Sequence, residues 1–119
     1  MNMFRNGDTI TLKGKFDKSE SLLHGVVKFI VYARCKELGH EAELEFNTEG
    51  PIGIIDCIDF STRLAYEVQK ITNKKMIIAK TKQYVRYAEI DDVIFINLKN
   101  FDLDMSIYEI YEEIKKIVV

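Results

Sequence analysis

The fold of this 119-residue chain depends on two apolar segments, residues 52–60 (IGIIDCIDF) and residues 64–71 (LAYEVQKI), separated only by the tripeptide Ser61-Thr62-Arg63. Short runs rich in β-branched and aromatic residues, bounded by turn residues, are typical of β-strands. Because so short a connection joins antiparallel neighbours, we predict that the two segments form a β-hairpin. An acidic residue interrupts each strand, Asp56 in the first and Glu67 in the second.

The register of the hairpin decides where these two carboxylates lie. If a two- or four-residue loop is centred on Ser61 and Thr62, opposed residues have numbers that sum to 123, so Asp56 faces Glu67. Directly opposed side chains point to the same side of a sheet, with Cβ atoms about 4.5–5.5 Å apart. A three-residue loop would shift the register and break this pairing. Gln69 projects to the same side as Glu67, two residues along the strand.

Two facing carboxylates repel each other, and this repulsion is costly on a sheet that excludes water. A divalent cation removes the repulsion, and hard oxygen ligands suit Mg²⁺ or Mn²⁺. The alternative is that Asp56 and Glu67 lie at a solvent-facing edge, or form ion pairs with Arg63 and Lys70.

The flanking segments have the patterns of further strands and helices. Strict alternation over residues 40–46 predicts a strand with Ala42, Leu44 and Phe46 on one face and glutamates on the other. A nearly continuous apolar run predicts a buried strand over residues 92–98. Apolar residues at helical spacing predict helices over residues 19–38, 74–87 and 107–118.

Helix boundaries are marked by capping patterns. Asp17 to Glu20 and Ser106 to Glu109 have the spacing of capping boxes at the starts of the first and last helices. Gly39 is predicted to cap the end of the first helix.

The order of elements is helix, three strands, helix, strand, helix, preceded by an extended segment over residues 1–16. Short turns make the first three strands an antiparallel meander. The helix between the third and fourth strands makes these two parallel, with a right-handed crossover. We therefore predict an α/β fold with a mixed sheet and helices on both faces, in one domain spanning residues 1–119.

Composition excludes several classes of protein. Hydrophobic residues are 47% and charged residues 30% of the chain, which is typical of a globular domain. No apolar run reaches the length of a membrane span, and the N-terminus lacks the pattern of a signal peptide. Cys35 and Cys57 lie in apolar stretches and are expected to be reduced core residues. These features favour a cytoplasmic protein with no membrane partner.

Charge is segregated along the chain although the net charge is only −2. Residues 70–87 contain six basic side chains and no acid, whereas residues 89–113 contain eight acids and one Lys. The basic residues are Lys70, Lys74, Lys75, Lys80, Lys82 and Arg86. This pattern indicates either two solvated faces or a local strip that binds a polyanion.

The first helix carries Glu20, His24 and Lys28 at four-residue intervals, and hence on one face. His24 is either a general base or phosphate ligand, or a helix histidine satisfied by a neighbour. Glu45 is either part of a solvated strand face or an outer ligand. The chain has no zinc-ligand spacing, Walker loop or dinucleotide fingerprint.

Asp56 followed by Glu67-Val68-Gln69, within helix–three strands–helix–strand, resembles the restriction-endonuclease-like, or PD-(D/E)XK, nuclease superfamily. The resemblance covers residues 19–98. The chain is also similar to small archaeal nuclease-like proteins with a basic second helix and a fourth strand that reads Asp-Asp-Val-Ile-x-Ile. Residues 91–96 (DDVIFI) fit that pattern.

The resemblance implies a three-layer α/β/α core with a metal site. Asp56 and Glu67 would be ligands of Mg²⁺ or Mn²⁺, and Glu20 would reach the metal directly or through water. The chain departs from the family at Gln69, where the usual residue is a Lys that orients water and stabilises charge on the phosphate. Lys80 or Lys82 is a candidate to supply that charge, and Ile55 replaces the family's Pro.

The resemblance further implies a metal-dependent nuclease that hydrolyses nucleic-acid phosphodiesters, with DNA favoured over RNA. Phosphate contacts are expected from the second helix and its approach, with Tyr84 or Tyr87 packing nearby; the lysines are Lys70, Lys74, Lys75, Lys80 and Lys82. A homodimer fits this function because so small a nuclease covers little DNA. The alternative is a catalytically inactive module that binds nucleic acid or mediates assembly.

Overall fold

The computed structural model describes residues 19–71 and 73–119, with side chains from residue 22 onward. The predicted extended segment at residues 1–16 and the capping box at residues 17–20 lie outside these limits, so neither prediction is tested. The elements are α1 (Ser19–Glu37), β1 (Ala42–Asn47), β2 (Ile54–Asp59), β3 (Leu64–Gln69), α2 (Lys74–Tyr84), β4 (Asp92–Asn97) and α3 (Ile107–Lys115). A short 3₁₀ turn, Leu98–Asn100, follows β4.

The described residues form an α/β fold with a four-stranded mixed sheet and three helices. The strand order is β1-β2-β3-β4. The first two pairings are antiparallel and β3 pairs with β4 in parallel, so the predicted meander and the predicted parallel pair are confirmed. Alternate strand residues enter two apolar clusters: Tyr66 and Val68 pack with residues of α1 and α3, whereas Ala65 packs with Tyr84 of α2. Helices therefore cover both faces of the sheet.

Capping explains two of the helix boundaries. Ser106 and Glu109 form the predicted reciprocal capping box at the start of α3. Gly39 follows the end of α1 with a φ of 80°, and the next backbone N–H, that of His40, donates to the carbonyl of Cys35 at 3.0 Å. A left-handed glycine after the last turn is the usual way to satisfy the final carbonyls of a helix.

The second helix is shorter than predicted, since it ends at Tyr84 rather than at residue 87. Its predicted apolar stripe, which includes Ile78, Tyr84 and Val85, is buried only in part. Tyr84 is 4% exposed, as predicted, whereas Ile78 and Val85 are 53% and 40% exposed. The residues four and eight positions before Tyr84, Lys80 and Met76, contact the polar end of β3, so the helix turns a polar and aromatic stripe to the sheet.

The predicted alternation of buried and exposed side chains in β1 is wrong at Phe46, near the end of the strand. Ala42 packs in the cluster on the α1 side, but Phe46 packs in the cluster on the α2 side, against Phe60 and Tyr87. The reason is Glu45, whose φ of 53° lies in the left-handed region. That conformation breaks the two-residue alternation of the strand and moves Phe46 to the other face.

The predicted register of the hairpin is confirmed. Ile58 pairs with Ala65, and Cys57 pairs with Tyr66. The four-residue connection is held by Asp59, a fully buried carboxylate that accepts hydrogen bonds from the backbone N–H groups of Ser61 and Thr62. Its other oxygen lies 2.7 Å from Nδ1 of His40. Asp59 is thus a satisfied structural residue of the turn.

Both cysteines are buried and free, as predicted. In the part of the chain that the structure describes, no helix combines the length and apolar composition needed to cross a membrane.

Candidate functional site

Asp56 lies at a local break in the sheet. β1 and β2 pair on either side of this point, through Leu44–Cys57 and Phe46–Ile55, but the ladder omits Glu45 and Asp56. The β2–β3 ladder likewise ends at Cys57–Tyr66, one residue before Asp56 would pair with Glu67. The left-handed Glu45 accounts for the break, since it turns the edge strand away from regular pairing.

The break allows the two carboxylates to be held by the backbone. The N–H of Asp56 donates to Oε1 of Glu67 at 3.4 Å. The N–H of Val68 donates to Oδ2 of Asp56 at 2.8 Å. Each carboxylate therefore accepts a hydrogen bond from the strand that carries the other, which fixes both acids at the same place on the sheet.

Glu67 is the buried member of the pair, with 6% of its surface exposed. Burial raises the pKa of its carboxyl, and repulsion from Asp56 raises the pKa further. Lys80, the hydroxyl of Tyr84 and the backbone of Asp56 act in the opposite direction without cancelling the rise. Burial and Asp56 thus disfavour the charge on Glu67, which is the arrangement that a bound cation relieves.

This pKa shift predicts a pH-dependent cost to folding. Folding raises the pKa of Glu67 above its ordinary value of 4.5. Ionisation of Glu67 therefore lowers the stability of the native state as the pH rises from 4.5 to the raised pKa, and the full loss of stability remains at higher pH. We expect Glu67→Gln to melt higher than wild type near pH 8 in EDTA, by about 4 °C per kcal/mol removed. The difference should disappear near pH 4. Thermal melts at both pH values check this, and a lower melting temperature for the variant at pH 8 would contradict it.

Lys80 brings a positive charge to the carboxylates. Its Nζ donates to Oε1 of Gln69 at 2.8 Å and lies 3.6 Å from Oε2 of Glu67. Gln69 is held in turn by Met76, whose Sδ is 2.7 Å from Nε2 of Gln69. Of the two lysines predicted to replace the absent family Lys, Lys80 occupies this place, whereas Lys82 lies exposed two residues farther along α2.

The first helix approaches the site from the other face of the sheet. Nε2 of His24 is 3.4 Å from Oδ2 of Asp56. One turn later, Nζ of Lys28 is 2.5 Å from Oε1 of Glu45, and this ion pair lowers the pKa of Glu45. Of the predicted helical face, His24 therefore reaches Asp56, whereas Lys28 pairs with Glu45. Glu20 is one turn before His24, but its side chain lies outside the described residues.

A cavity of about 500 Å³ opens at these groups. Its polar lining is formed by His24, Asp56, Glu67, Gln69 and Lys70. The other predicted phosphate-binding lysines, Lys74 and Lys75, lie exposed in the first turn of α2.

The donor set of this cavity fits a hard divalent cation. Among the described residues, no three His, Cys, Asp or Glu side chains converge as metal ligands. Two carboxylates are nevertheless what Mg²⁺ commonly takes from a protein, because it retains several water molecules and binds substrate phosphate at its other positions. Asp56 and Glu67 supply these two ligands, and His24 adjoins the first of them.

Tyr84 was not predicted as a functional residue beyond packing near phosphates. It is 4% exposed, and its hydroxyl is hydrogen-bonded to Glu67. Burial and the adjacent Glu67 raise the pKa of this phenol, so that it remains a donor. The signal in the sequence is the four-residue spacing from Lys80, which places both side chains on one face of α2.

Comparison of the chain with protein-family models, curated proteins and solved structures found no match. The assignment of function accordingly depends on the geometry of the carboxylates, Gln69 and Lys80.

Proposed function

We propose that this protein is a Mg²⁺- or Mn²⁺-dependent nuclease, built on a restriction-endonuclease-like core, that hydrolyses nucleic-acid phosphodiesters, with DNA favoured over RNA. The observation that carries the proposal is the position of Lys80. A lysine from α2 lies against Gln69 and Glu67, where the motif of the superfamily would otherwise supply its lysine from the strand. An acidic pair with an adjacent ammonium is suited to phosphate chemistry, since the reaction concentrates negative charge on oxygen.

The residues divide into ligands and charge stabilisers. Asp56 and Glu67 would hold the cation, which when bound lowers the pKa of a water nucleophile and neutralises phosphate charge. Tyr84 and the backbone N–H of Asp56 keep Glu67 oriented toward it. Lys80 stabilises the charge that develops on the phosphate, and Gln69 orients Lys80 by accepting its hydrogen bond.

Two further predictions from the sequence remain part of this proposal. Glu20 is an additional ligand, directly or through water, because it is four residues before His24 on α1. A homodimer would extend the surface available to nucleic acid beyond that of one small chain.

The alternative is a nuclease-like module that binds nucleic acid or assembles with partners without cleavage. One observation favours it: Lys80 already lies 3.6 Å from the buried carboxylate of Glu67 and offsets part of the cost of its charge. In that case metal is unnecessary and the basic helix alone engages the partner.

Cleavage assays separate the two functions. Labelled single-stranded, duplex, flapped and branched DNA, with matched RNA, should be incubated with the protein in Mg²⁺, Mn²⁺ or EDTA. The nuclease predicts products only in the presence of a divalent cation. Nucleic-acid binding without cleavage in any condition would support the module instead.

The exposed lysines of α2 predict a salt dependence of binding. Each phosphate neutralised on duplex DNA contributes a slope of roughly −0.9 in log affinity against log salt. We expect Lys74→Ala/Lys75→Ala to flatten the slope by about one to two units, because both side chains are exposed in the first turn of α2. Fluorescence anisotropy at several salt concentrations measures it.

The matched control is Lys115→Ala/Lys116→Ala, which removes two adjacent charges from α3 on the opposite side of the sheet. An equal effect of the two double variants would show that net charge, rather than the basic helix, governs binding.

A further inference from the structure

A second cavity lies at the C-terminal end of α2. Its volume is about 240 Å³. One wall comes from the β1–β2 turn, through Thr48, Pro51 and Ile52, and the other comes from the end of α2 and the following turn, through Gln83, Arg86 and Tyr87. The walls are joined by a long hydrogen bond from Nε2 of Gln83 to the carbonyl of Pro51, at 3.4 Å.

The second cavity and the carboxylates both lie next to α2. Gln83 follows Lys80 by three residues, so the two side chains project from the same face of α2, about 4.5 Å apart along the helix axis. Ile52, in the wall of the second cavity, is four residues from Asp56, so their Cα atoms are at most about 14 Å apart. A polymer held at the carboxylates therefore reaches the second cavity within about four stacked nucleotides, at about 3.4 Å each.

The lining of this cavity matches a planar, polar heterocycle. The cavity is smaller than the range of about 300–1,000 Å³ typical of drug-sized ligands, which suits a single ring system. Pro51, Ile52 and Tyr87 are the apolar and aromatic lining residues, while Gln83 and Arg86 are among the polar ones. The Tyr87 ring is itself supported by Phe46, with ring centroids 6.0 Å apart.

We propose that this cavity binds one unpaired nucleobase of the substrate, next to the phosphate at Asp56 and Glu67. A nucleobase packs on aromatic rings and on guanidinium groups, and the neighbouring phosphates suit a segment with six basic residues and no acid. A base within a duplex enters a cavity only after it is unpaired and unstacked, at a cost in free energy that an unpaired base does not have. The substrate class is therefore single-stranded nucleic acid, or the unpaired arm of a branched one. This inference rests on the proposed function, since it assumes that the carboxylates engage phosphate.

The test compares binding of one labelled single strand and its duplex in EDTA, where no cleavage occurs. The variants are Arg86→Ala and Tyr87→Leu, the latter chosen to keep apolar packing against Phe46 while removing the ring. Lys116→Ala, which removes one exposed charge from the opposite face, is the control. Anisotropy titrations give the affinities, and thermal melts show whether each variant is folded.

We expect wild type to prefer the single strand, and each pocket variant to lose about tenfold in single-strand affinity with little change for duplex. Equal losses for single strand and duplex, a comparable loss in Lys116→Ala, or no preference in wild type would overturn the inference. If the pocket variants lose single-strand binding but wild type cleaves nothing, the nuclease proposal is wrong and the nucleobase site is supported. If wild type cleaves and the pocket variants bind and cleave normally, the nucleobase site is wrong and the nuclease proposal is supported.

Discussion

Glu67→Gln is expected to lower the cleavage rate by a factor of at least about 10³. Loss of a single preorganised charge-stabilising group alone lowers kcat by about 10²–10³, and this substitution removes a metal ligand. The substitution keeps the shape of the side chain and one acceptor oxygen but removes the anionic ligand. Glutamine at this position can still be held by the N–H of Asp56 and the hydroxyl of Tyr84. The protein surrounding the site should therefore be unchanged.

The expected stability of the variant makes this result decisive. Glu67→Gln should be more stable than wild type without metal at neutral and higher pH, since it removes a buried charge from beside Asp56. Lost activity then cannot be attributed to unfolding. Single-turnover cleavage in Mg²⁺ or Mn²⁺ is the measurement, and activity within tenfold of wild type would show that the reaction, if any, occurs elsewhere.

Lys80→Ala is expected to reduce cleavage by about 10²–10³ while strengthening the binding of Mn²⁺. The two effects have opposite signs because the ammonium stabilises phosphate charge but also competes with a cation for Glu67, at 3.6 Å. A purely structural role for Lys80 would not produce this combination. Calorimetric titration with Mn²⁺ and single-turnover cleavage on the same samples check both halves of the prediction.

Gln69→Lys provides the matched rescue. In the wild-type background it should change the rate little, or lower it, because Lys80 already occupies the space at Gln69 Oε1, 2.8 Å away. In the Lys80→Ala background the same change should restore activity, since it places an ammonium on the strand beside Glu67. A large gain from Gln69→Lys in wild type would instead mean that Lys80 does not supply the missing charge.

The carboxylate pair follows from the sequence because hairpin geometry is local. A four-residue connection between two apolar runs fixes the register, and the register brings Asp56 to Glu67. The parallel crossover from β3 to β4 likewise follows from one intervening helix. Both features can be predicted from the order of the elements and the lengths of the connections, which can be read from the sequence.

The features that the sequence did not predict depend on the tertiary structure rather than on local sequence patterns. The left-handed Glu45 has no signature in a strictly alternating strand, yet it moves Phe46 to the other face and releases Asp56 from the ladder. The predicted apolar stripe of α2 included Tyr84, which is buried, but also Ile78 and Val85, which are exposed. The orientation of the helix is set by Tyr84 and Lys80, whose bonds to Glu67 and Gln69 can form only on the sheet face that carries them.

Anomalous diffraction from crystals soaked in Mn²⁺ tests directly whether Asp56 and Glu67 hold a cation. We expect one strong anomalous peak between the carboxylates of Asp56 and Glu67, with oxygen ligands at about 2.0–2.2 Å as for other small divalent cations. Lys80 Nζ should move away from Glu67, and the peak should be lost in Glu67→Gln. Saturating Mn²⁺ with no peak at these carboxylates, or a peak that persists in Glu67→Gln, would show that this pair is not a metal site.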